Sequence, residues 1–327
     1  MILLEPYSTT GKCSQVGGTF ENSLQMSHPP IYVEIKIHSA MDELWRLTQT
    51  PELHEQWDLR FTGIEYLPRP DESEPQRFLY TTRIGFGLKI CGEGESVGTH
   101  NKSSGERTSA LKFGSNDPKS LIREGSGYWQ YVPTAEGIKF LTWYDYRTRF
   151  GSLGQLFDRL IFRSLLGWAT AWSFDRLRLW LEKGIAPDAA LRQSLIYLTA
   201  RLSLSFIWIY QGLVPKLLFK DTGELEIVRG SGLFTGYAAL VLSGLGLAEI
   251  VFGVLFLLLW RQSSLFIWNI ILLVLLTMGA LIGQPGIFVA PFNPITLNVA
   301  MFGLSLIGLW SAKDLPSATN CRRKPSG

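Results

Sequence analysis

The sequence predicts an α+β soluble domain followed by an all-α four-helix transmembrane bundle, and three observations predict it. Charges are scattered along the chain up to about Gly184, then nearly vanish from Ser194 to Ser311, where Leu, Ile, Val, Phe and Gly dominate. Four segments of that second region are long enough to cross hydrocarbon, which takes about 20 apolar residues at a rise of about 1.5 Å each. The first region instead alternates apolar and polar residues in short runs broken by Gly, Pro, Asn or Asp, the pattern of half-buried strands.

The 327 residues give room for two domains, and the bulk figures of 46% hydrophobic and 18% charged residues average two unlike halves. A net charge of +3, with no basic stripe on one element, argues against nucleic acid as a partner. Cys13, Cys91 and Cys321 lie far apart without metal-ligand spacing, which reads as a reducing compartment rather than a disulfide framework or zinc site. The first residues, MILLEPYSTTGKCSQVGG, have neither the basic start nor the apolar core of a signal peptide. Residues 1–28 read as a disordered polar tail, and Met26 is an alternative start because patterned sequence begins just after it.

From Ile31, IYVEIKI alternates as a strand. SAMDELWRLTQ follows as a helix with Ser39 at its N-cap, and TPELHEQW as a second, with Thr50 leading and Pro51 at its first position. Six strand-like runs come next: FTGIEYL, QRFLYTTRI, LKICGEGESV, ERTSALKF, LIREGSGYWQYV and EGIKFLTWYDYRT. A long amphipathic helix from Ser152 to Glu182 closes the domain, with Leu153, Leu156, Phe157, Leu160, Ile161, Leu165, Trp168 and Trp172 as its apolar face. Its mixture of Trp168, Trp172 and Trp180 with Arg159, Arg163, Arg176 and Arg178 also suits an end lying near a membrane surface.

Catalytic signals are poor. His28, His38, His54 and His100 form no metal spacing and no triad, so no metal or cofactor is expected. His54, Glu55 and Asp58 lie close together, either as an acid–base pair or as a solvated helix end. GFGLKICGEG has no following helix and no GK[ST], which removes it as a phosphate loop.

The expected spans are 194–214, 233–260, 264–282 and 294–311, in a membrane domain covering 194–312. The soluble domain covers 29–184, a linker 185–193, and a basic tail 313–327. Lys183, Arg192, Arg261, Lys313, Arg322, Arg323 and Lys324 flank the spans on one side, against Lys216, Lys220 and Arg229 on the other. Asp221, Glu224 and Glu226 offset the second set, so positive charge places both termini in the cytoplasm. In the second span Gly232, Gly236, Ala239, Ser243, Gly246 and Gly253 recur as a small-residue stripe that also carries Glu249. Arg201, Ser205, Trp208, Gly212 and Pro215 on the first span, and Asn298, Ser305, Gly308 and Ala312 on the fourth, point inward by the same reasoning. Arg201 and Glu249 are expected to be neighbours, as an architectural pair or a substrate or proton site. Gln211, Asn269 and Asn298 read as hydrogen-bonding glue between helices.

ARLSLSFIWIYQGLVPKLLF, Glu249 in a Gly-rich second span and FNPITLN before the fourth resemble the DoxX-like membrane family over about residues 192–312. The order of elements over residues 30–183 resembles the START-like helix-grip fold, also called the polyketide cyclase or SRPBCC superfamily. The first resemblance implies a four-helix membrane domain in a bacterial inner membrane. Some DoxX-like members are linked to quinone or thiosulfate oxidation or to oxidative stress. The second implies a sheet curled round its last helix, enclosing an apolar cavity for lipids, sterols or polyketides. Trp57, Tyr80, Trp129, Trp143, Leu160, Ser164 and Trp168 are the candidate lining residues, with ordinary core packing the alternative for each. The leading expectation is a membrane-tethered binding protein whose partners are the bilayer and a hydrophobic small molecule or lipid. An enzyme or redox-complex subunit and a ligand-free scaffold for other membrane proteins remain the alternatives.

Overall fold

The computed structural model describes residues 29–325 apart from 70, 72–73, 85–86, 221–222, 233, 235, 290 and 292. The readings of the 1–28 tail, Met26, Cys13 and His28 lie outside the described residues. The chain divides into two compact units, one formed by residues up to Asp188 together with those from Pro316, the other by Ala189–Leu315.

The first unit opens with β1 (Ile31–Ile37), α1 (Met41–Gln49) and α2 (Pro51–Trp57). Six further strands follow: β2 (Gly63–Tyr66), β3 (Arg77–Ile84), β4 (Leu88–Asn101), β5 (Arg107–Gly114), β6 (Ile122–Thr134) and β7 (Gly137–Thr148). Together they make one antiparallel sheet in the order β1-β7-β6-β5-β4-β3-β2. Ala40, not Ser39, caps α1, without a side-chain bond; the Ser39 hydroxyl donates to the Ala40 carbonyl instead. Thr50 precedes α2, where Pro51 supplies a pre-set φ at a position whose N–H would have no helical partner.

After β7 the chain turns sharply through Phe150 (φ 69°) and Gly151 (φ 54°). It then runs as one long helix: α3 (Gly151–Phe157), a π-helical turn Asp158–Phe162, and α4 (Arg163–Lys183). Gly184 ends α4 in the left-handed conformation, its N–H donating to the Trp180 carbonyl.

Pairing register fixes which side chains face the helix. Val33, Thr142, Trp129 and Ser109 share that inner face with Ile35, Phe140 and Tyr131. Phe140 stacks on Phe174 of α4 at 4.4 Å between centroids, and Trp57 packs edge-on against Phe174 at 6.1 Å. The Trp57 indole N–H donates to the Leu47 carbonyl, which satisfies the one polar atom of a fully buried side chain.

Residues 316–325 belong to this same unit rather than forming a free tail. Asp175 on α4 accepts from the Ser317 backbone N–H and from the Asn320 amide, both at 2.8 Å. Arg322 exchanges two backbone bonds with Glu34, so the free edge of β1 is paired.

The second unit contains α5 (Pro187–Leu213), whose first two residues belong to the first unit, extended by a π-helical turn Val214–Leu218. It continues through α6 (Glu224–Gly230), α7 (Ala238–Leu258), α8 (Ser264–Gly283), a 3-10 turn Pro285–Val289 and α9 (Pro294–Ser311). Three described helices, α7, α8 and α9, are long and apolar enough to cross a membrane. α5 has the length, but Arg201 and Gln211 lower its apolar character. Tyr197, Leu204, Trp208, Phe256, Phe266, Leu273 and Met301 form the core, so the side chains that pack α5, α7, α8 and α9 together are mainly large and apolar.

Candidate functional site

The inner face of the sheet is covered unevenly. Over β1, β6 and β7 its side chains lie buried beneath α1 and α4: Val33, Ile35, Tyr131, Phe140 and Tyr144. Over β3, β4 and β5 the same face carries Phe78, Ile90, Leu111 and Phe113, all only half-buried. Glycines floor this part. Gly92 lies under the Tyr80 ring, Gly94 under Phe78 and Gly125 under Phe113, each so close that a Cβ would collide. The rings therefore lie flat along the sheet.

A charged group stands at the edge of this floor. His54 on α2 and Asp58 just beyond it are one helical turn apart, and Nε2 of His54 lies 3.1 Å from the Asp58 carboxylate. Arg60 reaches the same carboxylate through Nε at 2.9 Å and Nη2 at 2.6 Å, and its backbone N–H donates at 3.0 Å. Its guanidinium lies 5.5 Å from the Phe61 ring centre and 5.6 Å from that of Tyr144. The Tyr144 hydroxyl is 2.9 Å from Thr170 Oγ1 on α4. The His54 ring is packed among Trp57, Phe61 and Trp129 at 4.9 to 5.2 Å.

Burial alone would raise the Asp58 carboxyl, but the Arg60 charge and the bonds from Arg60 and His54 outweigh it and hold the group well below the usual carboxylate range. Burial would likewise lower Arg60, and Asp58 reverses the direction. Burial pushes Tyr144 up. The result is a fixed ion pair within aromatic walls, suited to orienting a polar end of an apolar molecule. The expected solvated helix end is corrected here, because Asp58 is 1% exposed.

Of the residues expected to line a cavity, Trp57, Tyr80 and Trp129 face the interior. Trp143 does not. It pairs with Tyr32 and Tyr128 and stacks on Tyr128 on the outer face, because Thr142 and Tyr144 take the inward positions of β7. Leu160, Ser164 and Trp168 are exposed, since the long helix meets the sheet through Asp158, Phe162, Thr170 and Phe174 instead. Arg60, Phe61, Tyr144 and Thr170 were not anticipated. The YDYRT alternation carried the signal for Tyr144, whereas Arg60 sits in a turn with no periodicity to read.

In the second unit Arg201 and Glu249 do not pair. Arg201, fully buried, donates to the carbonyls of Phe256 (2.9 Å) and Leu259 (2.8 Å) and to the Tyr197 hydroxyl (2.7 Å). It thus satisfies the open end of α7, where helix carbonyls lack partners and the dipole favours a cation. Glu249 instead lies 3.0 Å from Nζ of Lys216, which also approaches Glu224 at 3.3 Å. Helix register explains the difference. Ser205 bonds the Gly253 carbonyl, so Arg201 faces Phe256 while Glu249 lies about two turns away.

Gly246 and Gly253 share the buried face of α7 with Glu249, but Ala239 is exposed and Gly232 and Gly236 precede the helix, so the small-residue stripe is shorter than expected. Trp208 donates to Asn269 at 2.6 Å, Asn269 to Ser305 at 2.7 Å and Asn298 to Thr277 at 2.7 Å, all between helices. Gln211 contributes its backbone carbonyl to Lys216. Among the described residues Cys321 is a free thiol, buried against α4, where its Sγ lies 3.1 Å from the Ala171 carbonyl.

Residues 205–306 match the model of the DoxX-like family. An uncharacterized membrane protein of Bacillus subtilis, YndG, is 53% identical over 203 residues, which cover 62% of this chain and 75% of YndG. The chain belongs to the YndG family. It is accordingly a membrane protein with a DoxX-like domain. Among solved structures, a STAR-related lipid transfer protein fragment from Xanthomonas axonopodis is similar at 16% identity, with 46% of this chain and 85% of that one covered and a TM-score of 0.36. A hypothetical protein from Helicobacter pylori is similar at 14% identity, with 51% and 100% covered and a TM-score of 0.37. The START-like character of the first unit rests on its strand order and closing helix.

Proposed function

We propose that this member of the YndG family is a membrane-tethered binding protein for a hydrophobic small molecule or lipid. The observation that carries the reading is the half-open apolar floor of Phe78, Ile90, Leu111 and Phe113 beside the Asp58–Arg60–His54 group. Apolar pockets with a few placed polar groups are the usual form of small-molecule sites. Trp57, Tyr80 and Trp129 form its inner wall.

Four crossings, by α5, α7, α8 and α9, complete the proposal. The return of residues 316–325 to the first unit supports an even number, because chain entering and leaving the membrane unit then lies on one side. The cation distribution supports a cytoplasmic side for both termini, the more so because Lys216 is consumed by its ion pairs with Glu249 and Glu224.

The test is a thermal-shift screen of the full-length protein in nanodiscs against fatty acids, isoprenoids, sterols and aromatic polyketides. At least one class is expected to raise the unfolding midpoint of the first unit, by up to about 3 kcal/mol of stability at a hundredfold excess over Kd. Phe113→Arg is expected to remove the effect. No shift with any class would overturn the proposal.

A further inference from the structure

The long helix of the first unit carries its apolar residues on the outside. Leu153, Leu156, Phe157, Leu160, Ile161, Leu165 and Trp168 recur at steps of three and four, and each is between 44% and 73% exposed. Their common face lies away from Asp158 and Phe162, which meet Tyr146 of β7. Scattered exposed apolar residues are ordinary; seven in phase along one helix are a surface for something.

The patch continues beyond the helix. Phe150 is exposed and held at a positive φ, a strained geometry for a bulky residue, at the corner leading into α3. Arg149 beside it bonds the carbonyl of Ser115 at 2.7 Å, and Lys119 of the same loop bonds the Lys89 carbonyl at 2.9 Å. The β3–β4 hairpin is thereby tied to the head of α3, and its exposed Ile84 and Leu88 extend the apolar patch.

Exposed charge around the patch is mainly cationic, with Asp117 in the adjoining loop drawn to Lys119 at 3.6 Å. Between Arg149 and Trp172 the sole acid is Asp158, which is buried and bonded to Tyr146 and Arg163. Arg159 on the helix, Arg83 on the hairpin and Lys119 in the adjoining loop are exposed. An apolar stripe with aromatic residues and a cationic border is the pattern of a helix lying in the interface of an anionic bilayer. Only Gly184–Ala186 separate α4 from α5, and the chain belongs to a membrane-protein family.

We propose that the Leu153–Trp168 face, with Phe150, Ile84 and Leu88, is a second membrane-contacting site, seated in the headgroup region of an anionic leaflet. It belongs to the first unit and does not depend on what the sheet interior holds.

The test is site-specific photocrosslinking of the full-length protein in nanodiscs of phosphatidylethanolamine with or without phosphatidylglycerol. Leu160→p-benzoylphenylalanine is compared with the same replacement at Lys112 on the outer face of the sheet. The expected result is a lipid adduct by intact mass at position 160, several-fold above that at position 112. Phosphatidylglycerol should increase it, and Arg159→Gln should reduce it severalfold in those discs. Crosslinking at 160 to a second copy of the chain or to peptides of residues 189–315, or equal lipid yields at the two positions, would overturn the proposal. A midpoint shift with added ligand is a separate readout, so failure here and failure of the binding reading are distinguishable.

Discussion

At Asp58 the balance between burial and pairing decides both stability and its pH dependence. The carboxylate is buried, and Arg60 and His54 are its charged or chargeable partners. Removing its charge by Asp58→Asn leaves the Arg60 guanidinium in the interior without its counter-charge. We expect a loss of about 3–5 kcal/mol, read as a lower urea midpoint of the first unit. Its folded pKa lies below the unfolded value, so its contribution is complete above about pH 4 and falls away as pH drops through the folded pKa. Stability of the natural chain should therefore decline from pH 4 downward, and that of the Asp58→Asn variant should change less over the same window.

At the scale of elements, close approach governs the second unit. Gly212 on α5 and Gly246 on α7 face one another, and a Cβ on Gly246 would meet the Gly212 carbonyl at 2.7 Å and Cβ of Lys216 at 2.8 Å. Gly246→Val should separate the two helices, weaken the Lys216–Glu249 pair and lower the thermal midpoint in detergent. Gly244→Ala, with open space around it, should leave the midpoint unchanged or raise it slightly, by less than about 1 kcal/mol. The elements themselves were legible in sequence, because period-two runs broken by turn residues gave every strand of the sheet to within a few residues. Facing was less legible. FLTWYDY is apolar on both faces of β7, so nothing in its pattern distinguished Trp143 from Tyr144. The stripe from Leu153 to Trp168 obeyed helical spacing, yet these side chains are exposed, because the helix meets the sheet through Asp158, Phe162, Thr170 and Phe174. Arg201 and Glu249 failed as a pair because distances counted from assumed span ends do not fix the register between helices.

Across the whole molecule, the membrane unit is an insertion between α4 and the segment that pairs with β1, so the first unit is completed only after the chain has left the second. Sequence periodicity could not reveal this, because the returning segment is short and holds its place through backbone bonds and Asp175 rather than an apolar pattern. The binding reading is tested most directly by native mass spectrometry of the full-length protein released from gently prepared nanodiscs. One apolar molecule should be retained per chain after bulk lipid is stripped, and be lost in Phe113→Arg. Bare chain masses for both proteins under the same mild conditions, with no retained adduct on either, would contradict it.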